Sequence, residues 1–195
     1  MPKILKSFWK ISAKTLLILL IISSLVCVVA LRHNNQTMVK LRAAVYAADK
    51  DNKDINVALN NLRQYVYGHM NTNLSSGNNN IKPPIQLKYT YQRLSEAKQN
   101  QLQAANQKLY ADAQSACRAA GDISFDTACV QNYVVNHGAK GADINIPVGL
   151  YQFDFVSPSW SPDLAGWSLA VTVLLSVALI TKLGLTQLRN KKNPI

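Results

Sequence analysis

Acidic residues are scarce in this 195-residue chain, ten against twenty-one Lys and Arg, and Glu occurs once, as Glu96. Motifs that carry chemistry are scarcer still. There is no Gly-rich phosphate loop, no Gly-x-Ser-x-Gly elbow and no nucleophile–base arrangement, which removes phosphoryl and acyl transfer on the usual scaffolds. The three histidines, His33, His69 and His137, form no His-Glu-x-x-His pair. Asp122-x-Ser124-x-Asp126 and the Asp49–Asp54 cluster lack the central Gly and closing Glu of a calcium loop, and helix capping explains both sets more simply. These absences point to a non-enzymatic protein with no metal and no cofactor.

The net charge of +11 and pI near 9.7 raise nucleic-acid binding, but their distribution argues against it. Lys3, Lys6, Lys10 and Lys14 at one end and Lys182, Arg189, Lys191 and Lys192 at the other supply eight of the eleven excess charges, and neither tail holds an acid. A nucleic-acid site needs a basic stripe on one folded face. Basic clusters beside apolar runs instead set membrane orientation, which makes residues 1–14 and 182–195 cytoplasmic tails and residues 32–163 extracytoplasmic.

Two long apolar runs lie between these tails, Leu16–Leu31 and Leu164–Thr181. The first has the basic lead of a signal peptide, and Val28-Val29-Ala30 passes as a small-residue cleavage site. Its length, about 17 residues, is long for a signal core and near the lower limit for a span, so a span over 15–31 is the expectation. Cys27 is read as an apolar residue of that span, since Val26 and Ser24 do not fit a lipidation signal. The second run, a span over 164–181, is bracketed at its outer end by Trp160 and Trp167 and followed by Lys182, which suits indoles at the headgroup level and a snorkelling cation.

Between the spans the periodicity is helical. Leu31, Asn34, Met38, Leu41, Val45, Ala48, Asn52, Ile55, Leu59, Leu62, Val66 and His69 alternate in steps of three and four, which is heptad spacing. The cluster Asp49-Lys50-Asp51-Asn52-Lys53-Asp54 can cap a new helix and turn at Asn52, predicting helices over 32–50 and 53–70; one kinked rod keeps the same phase. Asn71–Pro84, with its Asn, Ser, Gly and Pro-Pro, is a loop. A helix is predicted over 86–120, ended by Gly121, and another over 126–137, capped by Ser124 or Asp126 and closed by Asn136-His137-Gly138. Alternation in Ile85–Tyr91 and in Ile144–Phe155 allows a short strand pair, with the second segment equally suited to lie on a membrane surface. The fold class is therefore mainly α, two transmembrane helices flanking an extracytoplasmic helical bundle.

Cys117 falls one turn before the third of these helices ends and Cys129 one turn into the fourth, so an antiparallel hairpin brings them together as a disulfide. The eleven intervening residues match neither Cys-x-x-Cys nor a zinc site. Ser168, Thr172 and Ser176 recur every fourth residue on the second span; they form a face for span packing, or bond back to their own helix. His69 and His137 are the candidates for a polar, pH-responsive site, with helix-end contacts to free carbonyls as the simpler reading. Asn35-Gln36-Thr37 and Asn73-Leu74-Ser75 are sequons.

With Leu41-Arg42-Ala43-Ala44-Val45, His69-Met70-Asn71-Thr72 and Lys82-Pro83-Pro84-Ile85-Gln86-Leu87, the ectodomain resembles uncharacterised two-pass bacterial membrane proteins with a helical extracytoplasmic domain, and the input halves of bacterial transmembrane sensors. The resemblance implies no functional residues. The expectation is an anchored envelope protein that meets the lipid bilayer and a protein partner or a second copy of itself, working as a scaffold. The alternative is a sensory input protein that signals through a partner, because a tail of about fourteen residues holds no output domain.

Overall fold

The computed structural model describes residues 11–74, 82–119, 127–138 and 145–192, with side chains through 188 in the last segment. The expected stops and caps at Gly121, Ser124 and Asp126, the Asn78–Asn80 loop and the tail lysines 3, 6 and 10 lie outside the described residues. Among those described, five α-helices and one two-stranded antiparallel sheet are present, and the chain divides into two compact units, 1–84 with 154–195, and 85–153.

The first unit is organised by α1, Ala13–Lys50, a single helix about 57 Å long at the standard rise. Ser12 caps its start, accepting from the Lys14 N–H. The apolar phase predicted outside the span extends back into it. Leu16, Cys27, Ala30, Asn34, Met38, Val45, Ala48 and Asp49 are the buried positions, all on one stripe. Helix α1 stops where the polar cluster begins. Asn52 takes a left-handed conformation (φ 53°), which Asn tolerates better than most residues, and the Asp54 carboxylate accepts from the Asn56 and Val57 N–H groups to start α2, Ile55–Gly68. A kinked rod is thereby replaced by a helical hairpin. Helix α2 turns Leu59, Leu62 and Val66 inward and runs back along α1, so that the Leu74 carbonyl reaches Arg42 Nη1 at 2.7 Å and the Pro84 carbonyl reaches the Tyr46 hydroxyl at 3.2 Å.

The same stripe has a second partner. Helix α5, Leu164–Lys192, packs antiparallel on the first half of α1, with Ala30, Ala165 and Leu169 in one apolar cluster. It runs past the expected end at Thr181, through Lys182 and the start of the expected tail, because Leu183, Leu185 and Leu188 continue a sequence of good helix formers. Helices α1 and α5 are the two described helices long and apolar enough to cross a membrane, and only 17% of the apolar window in each is buried. The Leu, Ile and Val side chains on their remaining faces, from Leu17 to Val29 and from Val171 to Ile180, are exposed.

In the second unit, β1 (Ile85–Gln86) pairs antiparallel with β2 (Gln152–Phe153), Ile85 opposite Phe153. The strand takes the first residues expected to be helical, and α3 spans Lys88–Ala119. The Leu87 N–H donates to the Tyr151 carbonyl and Tyr91 packs on Tyr151, 4.9 Å between ring centres. Helix α4, Thr127–His137, lies against α3, and Gly138 closes it: its N–H donates to the Val134 carbonyl, and a β-carbon there would strike that same oxygen. Cys117 and Cys129 form a disulfide between the two helices, Cα atoms 6.2 Å apart. Within the first unit α1 packs against α2 and α5, and within the second α3 packs against α4.

Helix α4 has no fully buried residue, so the cross-link carries much of the hairpin's stability. Closing a loop of this length is worth about 2–3 kcal/mol. Replacing Cys117 and Cys129 by Ser is expected to lower the thermal midpoint of the 85–153 unit by several degrees, followed by circular dichroism with and without reductant.

Candidate functional site

Helix α1 changes partner at Asn34, and there the described residues form their densest polar cluster. Asn34 is 5% exposed. Its Nδ2 donates to Asp163 Oδ2 at 2.7 Å and to the Met70 carbonyl at 3.3 Å. Asp163 immediately precedes α5 and caps it: Oδ1 accepts from the Gly166 N–H at 2.9 Å, and the Trp167 N–H donates to the Asp163 carbonyl at 3.1 Å. Ser161 closes the circuit, donating to Asp163 Oδ1 at 2.9 Å and accepting from the Met70 N–H at 2.9 Å. Asn71 Nδ2 donates to the Leu31 carbonyl at 3.0 Å. One carboxylate thus ties together the middle of α1, the chain leaving α2 and the start of α5.

The local sequence makes this possible. Asn71, in the left-handed region at φ 61°, turns the chain after α2, and the Thr72 hydroxyl donates to the carbonyls of His69 and Val66, which have no helical partner there. Gly166 admits the fold-back of Ser161. A β-carbon at 166 would overlap the Ser161 carbonyl and lie 2.9 Å from Trp160 Nε1, so the absence of a side chain lets Trp160 reach Trp167, edge-on at 5.7 Å.

Burial alone would raise the Asp163 carboxyl, but the Gly166 N–H, the Asn34 amide, the Ser161 hydroxyl and the attraction of nearby His69 outweigh it and hold the group below its ordinary value of 3.8. A depressed carboxylate favours the folded state above its ordinary pKa and loses that contribution as pH falls through the lowered one. The Ser161 hydroxyl is 1% exposed, with its proton on Asp163 and a lone pair taken by Met70. It is a structural link rather than a nucleophile.

His69 and His137 sit at helix ends, and His33 lies within α1. His69 Nδ1 donates to the Tyr65 carbonyl and its ring stacks on Tyr65 at 4.0 Å; His137 does the same with Tyr133, at 4.1 Å. His69 is close enough to act on Asp163 electrostatically, while His137 borders a groove of about 570 Å³ lined by Leu102, Ala105, Leu109 and Asp112 in the other unit. Ser168, Thr172 and Ser176 each donate to a carbonyl of their own helix, and Thr172 also meets Ser23 of α1, oxygens 2.8 Å apart; self-bonding and span packing coexist. Asn35 lies inside α1 with its Oδ1 buried and unpartnered among the described residues, which is not the exposed loop a glycan acceptor needs. The described residues hold no group of three or more His, Cys, Asp or Glu placed to bind a metal. Compared with family models, curated proteins and solved structures, the chain matches none.

Sequence reasoning placed Asn34 on the heptad but missed Ser161, Asp163 and Gly166. The signal was present: Ser161-Pro162-Asp163 directly before an apolar run is a helix-start sequence, and Asn34 is a polar residue at a core position, where such residues fix register.

Adjacent asparagines are expected to behave oppositely. Asn34→Leu leaves Asp163 and Met70 short of a donor and should cost about 2–3 kcal/mol, whereas Asn35→Leu removes a buried orphan acceptor and should be neutral or stabilising by about 1 kcal/mol. Thermal unfolding of the detergent-solubilised chain measures both. The midpoint of the wild-type chain should hold steady down to about pH 5 and drop below pH 3.8, and Asp163→Asn should lower the neutral-pH midpoint while flattening the acid limb.

Proposed function

We propose that the chain is a two-pass membrane protein with both termini cytoplasmic and residues 32–163 extracytoplasmic, a non-enzymatic envelope scaffold whose helical ectodomain binds a protein partner. The observation that carries the reading is α1, one uninterrupted helix from Ala13 to Lys50 whose single stripe is covered by α5 and then by α2. A soluble core helix buries most of its apolar surface, and α1 and α5 leave theirs open; lipid is the medium that covers it. Antiparallel packing of α1 and α5 brings residues 14 and 182 to the same end, in keeping with acid-free basic tails on one side. The exposed indoles of Trp160 and Trp167 suit the opposite headgroup layer.

Outside the spans the protein offers surface rather than chemistry. Val57 and Tyr67 on α2, and Tyr110 and Val135 in the 85–153 unit, are large apolar side chains left exposed. Photo-crosslinkers at Val57, Tyr67 and Tyr110 should capture one specific envelope protein, or a second copy, from intact membranes; adducts no more specific than those from a probe at Lys88 would count heavily against a scaffold.

The continuity of α1 also favours a second reading, a sensory input protein signalling through a partner. The two readings separate at the spans. With Ser23→Cys and Thr172→Cys, a scaffold should form the interhelical disulfide at one constant rate, and a sensor at a rate that changes with stimulus.

A further inference from the structure

Charge along the chain is partitioned more sharply than its total suggests: no acidic residue precedes Asp49 or follows Asp163. The apolar stretches Leu16–Leu31 and Leu164–Thr181 and the side chains beyond their inner ends therefore carry no negative charge. The packing of α1 on α5 fixes where those charges emerge. Asn34 meets Asp163, Ala30 meets Ala165 and Ser23 meets Thr172, a steady antiparallel register. From the Ser23–Thr172 level, Lys14 lies nine residues away on α1 and Lys182 ten residues away on α5, about 13.5 and 15 Å at the helical rise. The two lysines leave the bundle at one depth.

Helix α5 then continues to Lys192, which puts position 189 two turns beyond 182. Lys14 is exposed and Lys182 half-exposed, and neither has an ion pair among the described residues. Lys53 pairs with Asp51 at the far end of α1.

We infer that the inner ends of the two helices bind the phosphate headgroups of anionic phospholipids, with Lys14 and Lys182 as the ligands. The choice of occupant follows from charge and position. A compact ammonium on a flexible stem reaches headgroup depth, each cation near an anionic surface adds attraction, and two such groups emerge at one level. Zwitterionic lipids offer the same phosphate with a cationic group beside it, which the acid-free collar repels.

This inference rests on the two-span reading, and the experiment separates them. The full chain is reconstituted in vesicles of equimolar phosphatidylglycerol and phosphatidylcholine, extracted in mild detergent at low salt, and the retained lipids are quantified by mass spectrometry. The retained ratio of anionic to zwitterionic lipid is expected to exceed that of the vesicle at least about threefold. It should fall toward one at 1 M salt, where screening is short-ranged, and also in the Lys14→Gln/Lys182→Gln variant, with an unchanged thermal midpoint showing that the variant is folded. If the variant does not insert, the salt titration of the wild-type chain decides. A chain that never enters the vesicles refutes the two-span reading itself. An inserted wild-type chain with the vesicle's own lipid ratio, an enrichment that survives in the folded variant, or displacement by inorganic phosphate at matched ionic strength each overturns the lipid site.

Discussion

The fold of the first unit depends on one carboxylate. Asp163 sits where three chain segments converge, and each of its oxygens is used: Oδ2 by Asn34, Oδ1 by Ser161 and by the first turn of α5. A half-buried ion is costly unless its acceptors are filled, and here they are filled by donors from both α1 and α5 and from Ser161. Apolar stripes determine that α1 packs; they slide readily along one another. The polar junction sets the axial register, in the way that a single buried Asn fixes register in a coiled coil.

Around that junction the unit divides its stabilising forces by environment. On the α2 side, Met38, Val45, Leu62 and Val66 are fully buried, and expulsion of water drives the contact. On the α5 side the contact is made by small residues and interhelical polar groups, Ala30, Ala165, Ser168 and the Ser23–Thr172 pair, an interface of the kind that also works where lipid replaces water. One helix carries both kinds of interface because its stripe changes composition along its length while keeping its phase.

Much of this was legible in the sequence. The apolar runs, the break after Lys50, the start at Asp54, the cysteine pair and the strand segments each carry a local signal, either periodicity or capping chemistry. Which helices pair was not legible, since amphipathicity says that a helix needs a partner and not which one. Nor did the sequence reveal the junction: Asn34 and Asp163 are 129 positions apart, and no short-range pattern connects them. Which positions of the first apolar run are buried was hidden for a different reason. Inside an apolar run every position looks eligible for the core, so the buried stripe of Leu16, Cys27 and Ala30 has no polar counterpart to outline it.

The wide separation of Asn34 and Asp163 sets an order of assembly. A chain emerging from the ribosome presents α1 and α2 long before α5, and N-terminal elements settle first. The stripe from Met38 to Ala48 then has its partner at once, while the stripe from Leu16 to Ala30 waits for more than a hundred further residues to be made. The hairpin outside the span can close early, but the polar groups at its base, Asn34 and the backbone of Met70, remain without Ser161 and Asp163 until the second apolar helix arrives. Their satisfaction waits on α5, and a truncated product lacking α5 would carry those open donors and acceptors together with a bare apolar stripe.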